Sequence, residues 1–367
     1  MPKDIERLRN HIDQIDRNIL ELIKKRTDIA SEIGRAKVGS NLPLRNFDRE
    51  KTCIQNARAY ASSLGLSEEL AEAIQLKLFE ASFISQEQDR VRHLSAHNAK
   101  KALVIGGAGK MGNWFAHFLS SQGFFVEIFD PSLGVEFENI ASLEDACHHD
   151  LIVVAAPLHE SNRVLIELSK LRPSGLIFDI ASLKGPLKEG LTAIASAELR
   201  ATSLHPMFGP DTALLSGRHV IIVDLGNAKA NEEASSLFAP TAATIIQMDA
   251  DGHDRSMAFL LGLSHAVNIV FSSVLAKSGE TAPRLKELSS TTFDAQVSVA
   301  SRVAYENPKL YFEIQASNPF GDLSLGVLEE TTKQLREIIK LKDEKQFCDM
   351  MIAGRNYYEK GLAHDNH

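Results

Sequence analysis

Cysteine is scarce in this sequence: 367 residues contain three, at the scattered positions Cys53, Cys147 and Cys348. An odd, widely spaced set forms neither a disulfide framework nor a zinc-binding pattern. Long hydrophobic runs are also missing, so we expect no apolar stretch of the length of a membrane span. The N-terminal stretch MPKDIERLRN lacks the hydrophobic core of a signal peptide. These absences predict a reduced, cytoplasmic protein.

Excess positive charge is absent too, because 40 Lys and Arg residues are outnumbered by 48 Asp and Glu residues, for a net charge of −8. This balance argues against a nucleic-acid or anionic-membrane partner, although it leaves room for a local basic pocket that binds a small anion. Apolar residues make up 44% and charged residues 24% of the sequence, as in ordinary globular proteins. The length predicts two or three domains.

The segment from Asp4 to Val38 has no proline, and its only glycine is Gly34. Apolar residues recur along it three and four apart, which predicts one long helix with a heptad seam. The seam consists of Ile5, Leu8, Ile12, Ile15, Ile19, Leu22, Ile29 and Ile33. Arg26 occupies the place that this alternation leaves open. A guanidinium in a seam is costly unless an anionic group meets it.

Two more helices are predicted after Pro43 ends the first, over residues 47–65 and 67–88. The resulting all-α unit, which we assign to residues 1–92, is too elongated to bury its seam within one chain. We therefore expect it to dimerise. The polar segment 93–100 is expected to be a linker.

Short apolar runs that alternate with helical stretches begin at residue 101. The strand candidates are 102–106, 124–130, 150–157, 175–182 and 219–224. Their alternation with helices predicts an α/β, Rossmann-like domain with a doubly wound, mostly parallel sheet over residues 101–250. Residues 251–367 are helical in pattern again and predict an all-α C-terminal domain for dimerisation and substrate binding.

The first of these strands opens into the glycine-rich stretch ALVIGGAGKMG, residues 102–112. Gly107, Gly109 and Gly112 form a GxGxxG motif. The first glycine is expected to allow a tight turn, the second to let the backbone approach a pyrophosphate, and the third to let a helix pack closely on the strand. The motif alone is weak, but here it follows a strand and opens a helix, as a dinucleotide site requires.

The phosphates of a dinucleotide would lie at the N-terminus of the helix that begins near Lys110 and Met111. The second strand ends in Asp130. Its carboxylate would hydrogen-bond the adenosine ribose 2′-hydroxyl and repel a 2′-phosphate. We therefore predict NAD as the cofactor in preference to NADP.

Several segments downstream of the glycine loop resemble the prephenate dehydrogenase family. They are ASLKGP (181–186), SLHPMFGPD (203–211), GHDRSMAF (252–259) and GLSHA (262–266). The upstream half is similar to the helical chorismate mutase domain in the segments LRNHID, RTDIASEIGRAK, LPLRNFDRE and EASFISQ. The order of the two halves resembles the bifunctional chorismate mutase/prephenate dehydrogenases of tyrosine biosynthesis, over almost the whole chain.

This resemblance implies a homodimeric enzyme with two consecutive activities. It would rearrange chorismate to prephenate, and then oxidise and decarboxylate prephenate to 4-hydroxyphenylpyruvate with NAD. It also raises tyrosine as a feedback inhibitor.

The mutase reaction rearranges a dianion, so it needs positive charge for two carboxylates and donors for the ether oxygen, rather than a nucleophile. The resemblance implies six residues for this task. Substrate binding falls to Arg9, Arg26, Arg49 and Glu50, and contact with the ether oxygen to Lys37 and Gln86.

Helix geometry bears on three of these residues. Lys37 follows Arg26 by eleven residues, about 20° away around a helix, so both would face one pocket. Arg9 precedes Arg26 by seventeen residues and lies roughly 100° off that face, where it is better placed to reach a partner subunit's site. For Arg26 the structural alternative is a buried salt bridge to Asp or Glu. Asn46, where mutase domains can carry an aspartate, is assigned no role.

Oxidation of a hydroxyl needs an acceptor for its proton, and a neutral imidazole suits that task near neutral pH. The resemblance implies His205 as this base and Ser182 as the residue that orients it or binds the same hydroxyl. It implies Arg302 as the cation for the ring carboxylate. Lys184 and His265 would be further contacts to anionic groups of the substrate. For each of these residues the alternative is a structural role in a loop, a salt bridge or the core.

Four other features are assigned no catalytic part. His253 is expected to be structural. Relatives carry an arginine eight residues before the arginine matched by Arg302, whereas this sequence has Asp294 there, with the opposite charge. The motif CHHD (147–150) contains metal-binding residue types. However, adjacent histidines on a helix point about 100° apart, so no metal site is predicted. Trp114 is expected to pack rather than to contact the cofactor.

Two other functions fit parts of the sequence. A monofunctional prephenate or other hydroxyacid dehydrogenase with a non-catalytic helical arm, for dimerisation or effector binding, would explain the glycine loop. It would not explain the charged cluster around Arg26 and Lys37. A regulatory protein that senses NAD and binds an aromatic effector in a worn mutase domain would not need His205 or Arg302.

Overall fold

The computed structural model describes residues 3–39, 47–94, 100–132 and 136–364. The chain divides into two compact units. The first unit is Met1–Ser182 with Leu187–Asp249, and the second is Leu183–Pro186 with Ala250–His367. Asn46 and most of the predicted linker lie outside the described residues.

The first unit begins with long helices, α1 (Lys3–Gly39), α2 (Phe47–Ser63) and α3 (Glu68–Leu94). Both α1 and α2 pack against α3. The apolar seam of α1 is largely exposed within the single chain, with Ile12 57% and Leu22 63% accessible. The helical prediction for this segment is therefore confirmed, and the seam faces outward.

A sheet of eight strands follows in the described part of the first unit. The strands are β1 (Lys101–Ile105), β2 (Phe125–Phe129), β3 (Glu138–Asn139), β4 (Leu151–Val154), β5 (Leu176–Asp179), β6 (Ala201–Pro206), β7 (His219–Val223) and β8 (Thr244–Met248). Their spatial order is β3-β2-β1-β4-β5-β6-β7-β8. Neighbouring strands are parallel, except that β6 and β7 are antiparallel. The predicted doubly wound, mostly parallel sheet is confirmed.

Helices accompany the strands and bury both faces of the sheet. They are α4 (Lys110–Ser121), α5 (Leu158–Leu171), α6 (Lys188–Ser196) and α7 (Ala228–Ser236). Along β1, Ala102 and Val104 belong to one apolar cluster, whereas Leu103 and Ile105 belong to another. Because strands of this kind are buried on both faces, they have continuous apolar sequences, which explains why β1 and β4 can be recognised from sequence.

Three strands are missing from the candidates that the sequence offers: β3, β6 and β8. In β6, which reads ATSLHP, all the residues are buried although several are polar. The hydroxyl of Thr202 donates a hydrogen bond to the side chain of Asn231, with an Oγ1–Oδ1 distance of 2.6 Å. Polar residues can therefore occupy this central strand, and no apolar run announces it. β8 lies at the edge of the sheet and is partly exposed.

The second unit is helical. Its helices are α8 (Ala250–Met257), α9 (Ser264–Lys277), α10 (Ala282–Glu287), α11 (Thr291–Ala304), α12 (Pro308–Ser317), α13 (Gly321–Leu341) and α14 (Glu344–His364). A π-helical turn, Ala258–Leu263, joins α8 directly to α9. The prediction of an all-α C-terminal domain is confirmed.

The continuous run Ala250–Lys277 corrects the expectation that no stretch reaches the length of a membrane span. By length and composition alone this helix of 28 residues could cross a membrane, and 22% of its apolar window is buried. Ser264 and His265 interrupt the run in the sequence, so no unbroken apolar stretch is visible there. Exposed apolar side chains such as Val270 and Val274 suit packing against another protein chain equally well.

Candidate active sites

Arg26 turns from the seam of α1 towards α3. Its guanidinium donates hydrogen bonds to the carbonyl oxygen of Leu78 at 2.9 Å and to the hydroxyl of Ser82 at 2.6 Å. It also lies 5.7 Å from the centre of the Phe79 ring. Among the described residues, no Asp or Glu forms an ion pair with it, so the salt-bridge alternative is not what the structure shows. Ser82, which is 4% exposed, is a partner that no sequence signal indicates.

Partial burial affects the pKa values of two cations in this helical site. Partial burial lowers the pKa of the Arg26 guanidinium below its ordinary value. Burial also lowers the pKa of Lys37, in the last turn of α1, while the nearby carboxylate of Glu50 acts in the opposite direction. Arg49 and Glu50 lie in the first turn of α2. Desolvated cations favour an anionic ligand, because such a ligand compensates the lost hydration.

Gln86 lies on α3 directly opposite Gly34 of α1. The side chain is 6% exposed, and its Oε1 is buried without a hydrogen-bond partner among the described residues. A Cβ atom at Gly34 would lie 2.8 Å from Cγ of Gln86. Glycine inside a helix costs about 1 kcal/mol relative to alanine. Packing explains the glycine at position 34, because a larger side chain there would displace Gln86. A buried amide with an unsatisfied end can receive a ligand group.

Arg9 is exposed in the first half of α1. The rise of a helix separates it from Arg26 by about 26 Å along α1. One chain therefore does not bring Arg9 to the other predicted mutase residues. This position is compatible with the expectation that Arg9 reaches a partner subunit's site.

The glycine loop follows β1 and leads into α4, which begins at Lys110 with Gly109 as its N-cap. The tight turn differs from the predicted one, because Gly106 rather than Gly107 adopts the left-handed conformation, with φ of 82°. At Gly112 a Cβ atom would lie 2.1 Å from the carbonyl oxygen of Gly106, so the helix packs closely on the turn as predicted. No described side chain caps α4. Its first amides are thus suited to phosphate oxygens, and the loop fits a dinucleotide.

Asp130 lies just beyond β2 and is tied to the glycine loop. Its Oδ2 accepts a hydrogen bond from the amide of Ala108 at 3.0 Å, and its Oδ1 accepts one from the amide of Ser132 at 2.8 Å. Asn139 holds the main chain of Asp130 from both sides. A carboxylate oxygen has two lone pairs, so each can accept a further bond from a ribose hydroxyl.

His205 lies near the C-terminal end of β6. It is 4% exposed. The neighbouring parallel strand β5 leads to Ser182, three residues beyond its end. The glycine loop also follows the C-terminal end of its strand. The same edge of the sheet, formed by the C-terminal ends of the parallel strands, therefore contains His205, Ser182 and the glycine loop. Doubly wound folds bind ligands at this edge.

In the second unit a buried carboxylate organises the segment that contains Lys184. Asp254 accepts hydrogen bonds from the amides of Lys184 and Gly185, at 2.9 and 2.6 Å, and lies 2.7 Å from Nδ1 of His253. Burial alone would raise the pKa of Asp254, but these hydrogen bonds outweigh it and hold the pKa below its ordinary value. Lys184 is 1% exposed and His253 is fully buried. The structural role expected for His253 agrees with this pairing, and Asp254 is a residue that the sequence analysis missed.

His265 follows the π-helical turn and stacks on Tyr311, with 4.2 Å between ring centres. Burial lowers the pKa of the imidazole, which favours its neutral form. Its Nδ1 is buried without a hydrogen-bond partner among the residues described. Gln315 donates a hydrogen bond of 2.8 Å to the carbonyl oxygen of Gly262 and so stabilises the turn that presents His265.

Arg302 lies in the last turn of α11 and is exposed. It forms no ion pair within the described ranges, so the surface salt bridge considered as its alternative is not present there. Asp294 lies in the first turn of the same helix and accepts a hydrogen bond from Ser289. A carboxylate at this end of a helix interacts favourably with the helix dipole. That accounts for an acidic residue at Asp294 without a role in binding.

The features that the sequence analysis set aside have structural partners. His149, 3% exposed, lies between the carbonyl oxygen of Asp145 and the carboxylate of Glu127, at 3.0 Å from each. Trp114 packs on Phe118 and Phe208. The prediction that Trp114 is a packing residue is confirmed.

Three family models match successive parts of the chain. Chorismate mutase type II matches residues 8–87. The nucleotide-binding domain of prephenate dehydrogenase matches residues 129–247, and the dimerisation domain of prephenate dehydrogenase matches residues 249–353. The order of the matches is that of the helical segment, the sheet and the second unit.

Curated relatives share this whole arrangement. The T-protein of Enterobacter agglomerans is 27% identical over 345 residues, which cover 94% of this chain and 89% of that protein. The T-protein of Haemophilus influenzae is 26% identical over 356 residues, covering 96% and 91%.

Among solved structures, prephenate dehydrogenase from Aquifex aeolicus in complex with hydroxyphenyl propionate and NAD+ has a similar fold. Its TM-score is 0.59 at 17% identity, over 72% of this chain and 99% of that one. Synechocystis arogenate dehydrogenase gives a TM-score of 0.56 at 18% identity, over 71% and 99%. These two share the fold of the sheet and the helices that follow it. With a mutase match upstream and both dehydrogenase domains downstream, the chain belongs to the bifunctional chorismate mutase/prephenate dehydrogenase family.

Proposed function

We propose that this chain rearranges chorismate to prephenate in its N-terminal helices and oxidises prephenate, with loss of CO₂, at its sheet. The observation that carries the proposal is the presence of two separate sites of matching chemistry in one chain. One is a helical site with the desolvated cations Arg26 and Lys37. The other is a sheet edge that combines a dinucleotide loop with the buried imidazole of His205.

In the mutase site, we assign the two carboxylates of chorismate to Arg26 and Arg49 of one chain and Arg9 of its partner. Lys37 and Gln86 would stabilise the negative charge that develops on the ether oxygen as the bond breaks. Such preorganised donors in a dry site supply most of what an intramolecular rearrangement needs. The partial burial of Lys37 and the burial of Gln86 support this assignment.

A further substrate contact completes the mutase assignment. Glu50 would accept a hydrogen bond from the hydroxyl of chorismate. Its position in the first turn of α2 and its electrostatic interaction with Lys37 support this role.

In the dehydrogenase site, the glycine loop and the start of α4 would hold the pyrophosphate of NAD. The residues are Gly107, Gly109, Lys110, Met111 and Gly112. NAD held there would supply the acceptor for the hydride that leaves the carbinol carbon of prephenate. His205 takes the hydroxyl proton, for which a neutral imidazole is suited.

Five residues would orient the cofactor and the substrate of this second reaction. We assign to Ser182 the role of orienting His205 or of binding the same substrate hydroxyl. Asp130 would bind the adenosine ribose of NAD. Arg302 would bind the ring carboxylate, and its exposed guanidinium without an ion pair in the described chain supports that role. Lys184 and His265 are assigned to the remaining anionic groups.

We further propose a cytoplasmic homodimer with domains at 1–92, 101–250 and 251–367. The match to a dimerisation domain and the exposed apolar residues of α1 and α9 support the dimer. Tyrosine, which resembles the product of the second reaction, is proposed as an inhibitor of the dehydrogenase. A monofunctional dehydrogenase with a non-catalytic helical arm remains the competing function, and the first variant pair below separates the two.

The first prediction is that the two activities are lost independently. His205→Asn should lower the dehydrogenase kcat by ~10²–10⁴-fold, because the proton acceptor is removed, and leave the mutase unchanged. Lys37→Ala should lower the mutase kcat by ~10²–10³-fold and leave NADH formation from prephenate unchanged. Steady-state assays with prephenate and with chorismate measure each activity separately.

The exposed His148, next to the opposite edge of the sheet, provides the control His148→Asn, which should change neither activity. Equal loss of both activities in either variant would contradict two separate sites. A wild-type chain without mutase activity would support the monofunctional enzyme.

The second prediction concerns cofactor choice. Asp130→Asn removes the charge that repels a 2′-phosphate, so the ratio of kcat/KM for NAD to that for NADP should fall about tenfold or more. Glu138→Gln, a change to an exposed carboxylate on β3, is the matched control and should keep the ratio. An unchanged ratio in Asp130→Asn would show that another group selects the cofactor.

The third prediction tests the place of Gln86. Gly34→Ala puts a methyl group where Gln86 lies and should lower the mutase kcat at least tenfold, about the effect of 1.4 kcal/mol, with dehydrogenase activity retained. Gly354→Ala is the control, since it lies in α14 with open space around it, and should leave the mutase unaffected. Full mutase activity in Gly34→Ala would refute the positioning of Gln86 by Gly34.

A further inference from the structure

Glu87, the residue after Gln86, is a buried carboxylate at the end of the mutase helices. It lies on α3 and is 3% exposed. Its Oε2 accepts a hydrogen bond from the amide of Leu215 at 2.6 Å, and its Oε1 accepts one from the amide of Ala242 at 2.7 Å. A helix of the mutase half thus supplies both acceptors to the nucleotide-binding half, within the same compact unit.

The two amides belong to connections of the sheet. Leu215 lies in the connection 207–218, which runs from β6 to β7 and begins immediately after the strand that contains His205. Ala242 lies in the short link between α7 and β8. Loops lack the regular partners of a sheet, and a buried amide in a loop needs an acceptor from elsewhere. Here the carboxylate of Glu87 is that acceptor.

The same connection is fixed at a second point. The indole Nε1 of Trp114 donates a hydrogen bond of 2.9 Å to the carbonyl oxygen of Thr212. Trp114 lies on α4, the helix that the glycine loop opens. The connection after His205 is therefore held by the cofactor helix at Thr212 and by the mutase helix at Leu215.

Packing between α3 and α4 is incomplete at this place. A cavity of about 280 Å³ lies between Glu87 and Val91 of α3 and Trp114 and Phe118 of α4. The two hydrogen bonds of Glu87 join the end of α3 directly to the loops of the sheet beside this space. Charged acceptors form the stronger hydrogen bonds, which suits a carboxylate to this task.

Adjacent residues on a helix point about 100° apart. Gln86 faces Gly34 of α1, and Glu87 faces the sheet. One turn of α3 therefore contains a residue of the mutase site and the anchor of the dehydrogenase loop.

We propose that Glu87 is a positioning residue for the dehydrogenase reaction, which holds the connection after β6, and with it His205, from the mutase helix. The proposal rests on the proposed function of His205 as the proton acceptor. It makes the dehydrogenase site dependent on a side chain of the mutase half.

Glu87→Gln tests this in the full-length protein, because it keeps the size of the side chain but presents an NH₂ group to one of the two amides. The dehydrogenase kcat should fall between about tenfold and 10²-fold, the range expected when a catalytic group is misplaced. The KM for NAD should change little. Glu69→Gln, at the exposed start of the same helix, is the matched control and should leave kcat unchanged.

A double-mutant cycle with His205→Asn separates positioning from general destabilisation. If Glu87 acts through His205, adding Glu87→Gln to His205→Asn should cause no further loss of kcat. An equal loss in both backgrounds would overturn the proposal, as would a wild-type kcat in Glu87→Gln. Should the Gln variant fail to fold, Glu87→Asp, which keeps the charge but is shorter, should give an intermediate kcat, and a wild-type kcat there would overturn it.

Hydrogen exchange tests the anchor without any activity. The amides of Leu215 and Ala242 should exchange at least about tenfold faster in Glu87→Gln than in the wild type, because each loses or weakens its acceptor. Unchanged exchange at both would overturn the proposal. A wild-type chain that forms no NADH from prephenate would instead refute the proposed function, with the exchange result still reporting on the anchor.

Discussion

Partly buried positive charge is the constraint on which the helical half of this molecule depends. Arg26 interrupts an apolar seam and is satisfied in part by the neutral oxygens of Leu78 and Ser82. Burial lowers the pKa of both Arg26 and Lys37. Such cations are costly without an anionic partner and favourable around a dianion. The three helices thus bring together cations whose partial burial suits an anionic ligand.

The sheet solves a different problem, which is to bring a cofactor loop and a buried imidazole to one edge. Parallel strands do this because their C-terminal ends meet at the same side. Helix α3 contributes to both halves, with Gln86 on its mutase side and Glu87 on its sheet side. The molecule is therefore more than two enzymes joined by a linker, since a helix of one supports a loop of the other.

The sequence predicts what regular patterns encode. The heptad seam indicates α1, and the continuous apolar runs indicate β1 and β4, because burial on one stripe or on both faces leaves such patterns. It misses β6, in which the buried polar residues Thr202, Ser203 and His205 interrupt any apolar pattern, and it assigns the tight turn to Gly107 where Gly106 adopts it. Contacts such as Arg26 with Ser82, or Glu87 with Leu215, join residues far apart in the chain, and no local pattern announces them.

The central claim is that one chain makes prephenate and then consumes it. The most direct measurement adds chorismate and NAD to the purified protein and follows the absorbance of NADH. The account predicts NADH from chorismate after a lag in which prephenate accumulates, and NADH from prephenate without a lag. NADH from prephenate alone would contradict the mutase half, and no NADH from either substrate would contradict the account as a whole.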